Sequence, residues 1–130
     1  MELFHSDICS TILKAFYSIA NDLPFGLDKR FYANALAIEL QTLGLKTEVD
    51  KPQTVFYKEQ KIGDLNLDIL VDKVVIIKVD TQKSFIENEQ MELAKNYLKL
   101  TDFEVLLLLN FGMEADHKRL FLTNNFKKRS

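Results

Sequence analysis

Leu65-Asn66-Leu67-Asp68-Ile69-Leu70-Val71, Asp72-Lys73, then Val74-Val75-Ile76-Ile77-Lys78-Val79-Asp80: this run of residues decides the fold. Leu65, Leu67, Ile69 and Val71 alternate with Asn66, Asp68 and Leu70, which is the two-residue period of a strand. Asp72-Lys73 reads as a tight turn. Val74–Asp80 is a further strand. Val75, Ile77 and Val79 share one of its faces, and Val74, Ile76, Lys78 and Asp80 share the other.

Downstream, residues 87–101 read as a helix with Met91, Ala94, Tyr97 and Leu98 on its inner stripe. Glu92 can pair with Lys95 or Lys99 on its outer face. Val105–Leu109 is an almost unbroken apolar run, the mark of a strand covered on both faces. Asn110-Phe111-Gly112 leaves that strand, and Arg119–Leu122 is a last short one. A helix between the Val74–Asp80 and Val105–Leu109 strands suits a right-handed crossover between parallel neighbours.

Upstream, Ser6 or Asp7 is placed to cap a first helix carrying Ile8, Ile12, Leu13, Phe16, Ile19 and Ala20. Asn21–Gly26 breaks it. A second helix starts near Asp28, with Phe31, Ala35, Leu36, Leu40 and Leu43 as its apolar stripe and Gly44 as its terminating glycine. Thr47–Val49 is a short strand, Asp50-Lys51-Pro52 a turn, Thr54–Tyr57 a strand and Lys58–Lys61 a hairpin turn. The expected fold class is mixed α/β: one sheet with helices on both faces.

The composition sets bounds on function. The 130 residues are 47% hydrophobic and 28% charged, which fits a single globular domain with a real core. No apolar run approaches the roughly 20 residues that a bilayer span needs. The first ten residues lack the basic and apolar regions of a secretory signal. A single cysteine, Cys9, excludes an internal disulfide and suits a reducing cytoplasm. On a helix it reads as a small buried residue and not a nucleophile. The net charge of −2 argues against a dedicated nucleic-acid binder. The basic cluster Lys127, Lys128 and Arg129 reads as a solvated end of a flexible tail over residues 124–130.

Several motifs in order resemble one family. Gly26-Leu27-Asp28-Lys29-Arg30-Phe31-Tyr32 is similar to the Gly-x-x-Glu-x-x-Tyr signature of the GxxExxY proteins, part of the PD-(D/E)XK nuclease-like superfamily. The resemblance runs on through residues 34–40, Gly44-Leu45-Lys46, Lys51-Pro52 and Gly63-Asp64. It resumes at residues 96–99, Asn110-Phe111-Gly112 and Lys118-Arg119. It spans roughly residues 8–123 and implies a restriction-endonuclease-like αβββαβ core. In active members an Asp and a Glu on adjacent strands hold Mg²⁺, and a Lys two residues past the Glu acts on the attacking water. A Glu on the early helix and a Gln on the later helix assist.

Transferred to this chain, most of that machinery is missing. Lys29 stands in place of the helix Glu. Asp68 matches the first metal ligand. The Glu-x-Lys pair falls either on Ile77 and Val79 or on Lys78 and Asp80, and neither placement supplies it. Leu93 stands in place of the Gln, and Asn66 in place of an Arg common before the Asp. A lone carboxylate cannot concentrate enough negative charge for Mg²⁺ or Mn²⁺. The expected function is therefore a catalytically degenerate nuclease-like domain, without cofactor or metal, that acts as a binding or assembly module. Lys29 or Lys78 can neutralise Asp68 in the position a metal would take, or both can extend into solvent.

The alternative is a Mg²⁺- or Mn²⁺-dependent DNA nuclease with a site rebuilt from Asp64, Asp68 and Asp80. A third reading is a nucleic-acid binder that kept the groove. Ten phenylalanines in a small domain leave room for an apolar patch that meets a protein partner or a second copy. His5 and His117 have no partner at metal-ligand spacing and read as surface residues. Glu39 reads as a solvated helix carboxylate, and Tyr32 and Tyr97 as core aromatics with a polar tip. Neither a glycine-rich phosphate loop nor a Ser–His–Asp order is present.

Overall fold

The structure is a computed structural model that describes residues 4–127. Lys128 and Arg129 of the basic tail lie outside the described residues. The elements are α1 (Ser6–Asp22), α2 (Lys29–Thr42), β1 (Thr47–Tyr57), β2 (Gln60–Val71), β3 (Val75–Asp80), α3 (Asn88–Lys99), β4 (Val105–Phe111) and β5 (Ala115–Phe121). They form one five-stranded sheet in the order β1-β2-β3-β4-β5. β3 and β4 are parallel and joined through α3; the other neighbours are antiparallel. This is the mixed sheet with helices on both faces that the sequence pattern requires.

The two faces bury separate clusters. α1 and α2 cover Ile69, Val71, Val75, Ile77, Val79, Val105, Leu107 and Leu109. α3 covers Leu67, Leu70, Ile76, Leu106 and Leu108. Because β4 is covered on both sides, every one of its residues is buried. Cys9 is buried on α1, as expected of it.

Local chemistry sets the helix ends. Asp28 caps α2, its side chain accepting from the Arg30 N–H at 2.9 Å. That bond, reinforced by the Arg30 side chain, holds the Asp28 carboxyl below its usual pKa. At the other end Leu45 N–H donates to Leu40 O, and Gly44 N–H to Gln41 O, with Gly44 at φ 90°. This closes α2 in a Schellman motif. α1 departs from expectation: neither Ser6 nor Asp7 is its cap. The N-cap position is His5, at φ 56° and with no side-chain cap bond.

Strand boundaries moved where polar residues had suggested turns. Residues 47–57 form one strand, with Pro52 inside it opposite Asn66. β1 is an edge strand, and there the missing Pro N–H can face solvent without breaking a ladder bond. The hairpin turn shrinks to Lys58-Glu59, both in the left-handed region. β5 begins at Ala115 and not at Arg119, because its exposed outer edge tolerates Asp116, His117 and Lys118. The α2 stripe also shifts: Tyr32, Ala33, Leu36, Ala37 and Leu40 are buried, while Phe31 and Leu43 are exposed. His5 and His117 are half-buried, and His117 Nδ1 lies 2.6 Å from the Tyr17 hydroxyl. Residues 124–126 form a 3-10 turn in which Asn124 N–H donates to Glu104, and Lys127 Nζ donates to the carbonyls of Thr101 and Phe103.

The β3–α3 connection is tied to the end of β4. Buried Asn110 accepts from Gln82 N–H at 2.7 Å and donates to the carbonyls of Gln82 and Ser84 at 3.0 and 2.8 Å. Gly112 is needed beside it, since a Cβ there would stand 2.2 Å from Gln82 O. Gly112→Ala is expected to lower stability by about 1–3 kcal/mol through overpacking. Gly63→Ala, where a Cβ meets nothing within 4 Å, should be near neutral. Urea denaturation of both variants tests the contrast, and equal effects would contradict it.

Candidate functional site

The site forms where β2 and β3 part. Their ladder runs Val71↔Val75, Leu70↔Ile76 and Ile69↔Ile77, and ends there. Just beyond it, Asp68 Oδ2 accepts from the Val79 backbone N–H at 2.8 Å. A side-chain carboxylate thus takes the place of the strand carbonyl that the parting removed. The other oxygen, Oδ1, lies 2.9 Å from Lys29 Nζ. Asp68 is only 6% exposed, whereas the Lys29 side chain is 46% exposed. The carboxylate is held in the interior, and the ammonium reaches it from the wet side.

A break in side-chain alternation aims Asp68 at α2. Ile69 and Val71 pack under α1 and α2, while Leu67 and Leu70 pack under α3. Asp68 and Ile69 therefore turn successively to the same side. Asp50 on the neighbouring strand adopts φ 54°, between the pairs Val49↔Ile69 and Lys51↔Leu67. Under strict alternation Asp68 would face α3 and Lys78. With the break it meets Lys29, the first residue of α2. A cation at a helix N-terminus has the wrong sign for the helix dipole, and the buried carboxylate compensates it.

The second polar group lies on the α3 side. Lys78 Nζ is 3.4 Å from Asp80 Oδ1, with exposures of 19% and 17%. The same ammonium sits 5.8 Å from the Tyr97 ring centroid. Asp80 Oδ2 accepts from Gln90 Nε2 at 3.0 Å. Gln90 Oε1 in turn accepts from Glu87 N–H at 2.8 Å, as part of a capping box at the start of α3.

Of the positions singled out in the sequence, Ile77 and Val79 belong to the core beneath α1 and α2. Lys78 and Asp80 are the polar alternative on that strand. Leu93 is exposed on α3. Asp64 stands apart, its carboxylate held by the Thr54 hydroxyl at 2.9 Å and by Lys61 at 3.2 Å. Those two contacts, the Thr54 hydrogen bond first, lower its pKa. Asn66 donates to Asp50 at 3.4 Å. Asp64, Asp68 and Asp80 thus each engage different partners. Among the described residues no group of three His, Cys, Asp or Glu side chains is placed to hold a metal ion.

Gln90 is the residue that sequence reasoning missed. It lies one helical turn before Leu93, and the spacing Glu87-x-x-Gln90 was the available signal.

The Gly26–Tyr32 segment has its own physical logic. Gly26 sits at φ 103°, which lets the chain turn into α2. The Tyr32 hydroxyl donates to Pro24 O at 2.6 Å and accepts from Leu27 N–H at 3.2 Å. Its ring stacks on Phe111 with centroids 4.6 Å apart. Tyr32 is thus the core aromatic with a polar tip that the sequence suggested, and it fixes the loop that delivers Lys29.

A family model of the PD-(D/E)XK nuclease superfamily matches residues 6–120. The chain belongs to the PD-(D/E)XK nuclease superfamily. Comparison with curated proteins and with solved structures found no significant match. Asp68, the residue that the sequence resemblance matches to the first metal ligand, stands where β2 and β3 part. The carboxylate meets an ammonium there. Asp68 with Lys29 on the α2 side and Asp80 with Lys78 on the α3 side each sum to zero formal charge, and neither pair is a donor set that fits Mg²⁺ or Mn²⁺.

Removing Asp68 leaves the Val79 N–H unsatisfied and Lys29 without its counter-ion. Asp68→Ala is expected to lower stability by about 2–4 kcal/mol. Lys29→Met should cost about 1 kcal/mol or less, because water can reach the half-exposed position. Chemical denaturation reads both; an Asp68→Ala loss no larger than that of Lys29→Met would refute this account of the pair.

Proposed function

We propose that this PD-(D/E)XK domain is a non-catalytic, GxxExxY-type member that works as a binding or assembly module. The observation that carries the reading is the pair of contacts on Asp68: Lys29 on one oxygen and the Val79 N–H on the other. Metal-assisted phosphodiester hydrolysis needs a cation that polarises the phosphate and lowers the pKa of a bound water. Such a cation is drawn in by an excess of carboxylate charge. Here Asp68 and Asp80 are each matched by a lysine, and a dication approaching either carboxylate meets an ammonium group.

The family-type features that remain are those with a folding role. Gly26 and Tyr32 shape the entry to α2, and Asp68 closes the gap between β2 and β3. The positions that the resemblance assigns to chemistry hold Lys29, either Ile77 or Lys78, and Leu93. Retention of scaffold residues alongside replacement of chemical ones supports a domain kept for its surface. Large apolar side chains stand exposed on several elements, Phe31 and Ile38 on α2 and Phe56 and Ile62 on the hairpin among them. We place the protein in the cytoplasm, a reading supported by its single cysteine. No helix among the described residues is long and apolar enough to cross a membrane.

The test is a titration with Mg²⁺ and Mn²⁺ followed by thermal unfolding, together with cleavage assays on single- and double-stranded DNA. The expected result is no metal-dependent rise in Tm and no cleavage. Lys29→Glu, which sets a carboxylate beside Asp68, should gain a Mn²⁺-dependent rise in Tm by mass action. Metal-dependent cleavage by the native chain that is lost in Asp68→Ala would overturn the proposal, and the displaced-site nuclease would stand.

A further inference from the structure

The sheet has two edges, and they are guarded differently. β1 carries Pro52, a left-handed residue at Asp50 and a register shift at Val55/Phe56. All three devices discourage another strand from pairing there. β5 has none of them. Its register with β4 is unbroken from Val105↔Phe121 to Phe111↔Ala115. It contains no proline and no residue of positive φ. Among the described residues it pairs with β4 alone, so its outer backbone N–H and C=O groups form a regular open row.

Beside that open edge lies a groove of about 310 Å³ between α3 and β5. Leu98, Leu120, Phe121 and Leu122 give it apolar walls, and Lys95 and Lys99 line it from α3. Arg119 also lines it, while donating to Phe4 O at 3.1 Å. Lys118 is exposed two residues before Leu120, on the same side of the strand. Lys95 has Glu92 as a neighbour at 3.2 Å, and that pair is on the exposed helix surface. The chain as a whole is slightly acidic, so this concentration of cations around an apolar groove is a local feature.

We propose that the β5 edge and the α3–β5 groove form a docking site for an acidic, extended peptide segment of a partner protein. This rests on the reading of the domain as a binding module and names its partner class. The segment adds as a strand to β5 through main-chain hydrogen bonds. Its side chains on one face are apolar and enter the groove against Leu98, Leu120 and Leu122. Its flanking carboxylates meet Lys95, Lys99 and Lys118. Nucleic acid fits less well: the groove walls are leucine side chains, and the strand edge presents amide groups at peptide spacing. A second copy of β5 fits less well too, since it would bring its own Lys118 and Arg119 against the same cations.

The experiment uses the full chain and a fluorescein-labelled peptide, Glu-Leu-Asp-Val-Glu-Leu-Asp, read by fluorescence anisotropy at low salt. Comparison peptides replace every acidic residue by Lys, or carry N-methyl groups on alternate amides. The acidic peptide should bind, and both comparison peptides should bind at least roughly tenfold more weakly. Lys95→Glu/Lys99→Glu should weaken binding about tenfold or more. Lys58→Glu/Lys61→Glu, on the distant hairpin, should leave it unchanged. Circular dichroism checks that each variant is folded.

Equal binding of the acidic and lysine peptides would overturn the proposal, as would indifference to N-methylation. Displacement of the peptide by a single-stranded oligonucleotide at equal concentration would assign the groove to nucleic acid instead. A concentration-dependent dimer abolished by Lys95→Glu/Lys99→Glu would assign it to a second copy. None of these outcomes bears on metal binding or cleavage, so failure here is separable from failure of the non-catalytic reading.

Discussion

The buried carboxylate of Asp68 holds the centre of this structure together. It sits where two antiparallel strands stop pairing, and a parting of that kind strands backbone groups in the interior. One oxygen satisfies the Val79 N–H, and the other is neutralised by Lys29. A carboxylate buried with neither partner would be too costly to keep ionised. With both, it links α2, β2 and β3 through a single side chain. The loop that brings Lys29 into position is itself fixed by Gly26 and by the Tyr32 hydroxyl, and Tyr32 is anchored by stacking on Phe111 of β4.

The same geometry gives the functional reading its force. A position that suits a cation has a cation in it, carried on the chain's own lysine. Stability and chemistry compete for such a carboxylate. A metal recruits oxygens that are left partly unsatisfied, while an ammonium and an N–H satisfy them permanently. On the other face, Lys78 does the same for Asp80, assisted by Gln90 from α3.

Much of the fold was legible from periodicity. The alternation over residues 65–71, the apolar run at 105–109 and the intervening amphipathic helix carry their own geometry. Elsewhere a local signal is overruled by position in the sheet. Asp50-Lys51-Pro52 has the composition of a turn, yet on an edge strand it continues the ladder. Asp116, His117 and Lys118 look unlike a strand, yet an edge needs only one buried side. On α2, Phe31 and Leu43 drew attention by size, but the buried side is set by what the helix packs on, and that selected Tyr32, Ala33 and Ala37.

By itself, the sequence determined the mixed α/β class and the superfamily resemblance, because composition and spacing are local properties of the chain. Only the tertiary structure decided which lysine meets Asp68. Strict alternation would have turned that carboxylate toward Lys78; the irregularity at Asp68–Ile69 turned it toward Lys29. It also revealed Gln90 as the partner of Asp80 and the unbroken register of β5 at the sheet edge. Such facts depend on how distant elements pack against one another, and a pattern read along one dimension carries no record of that.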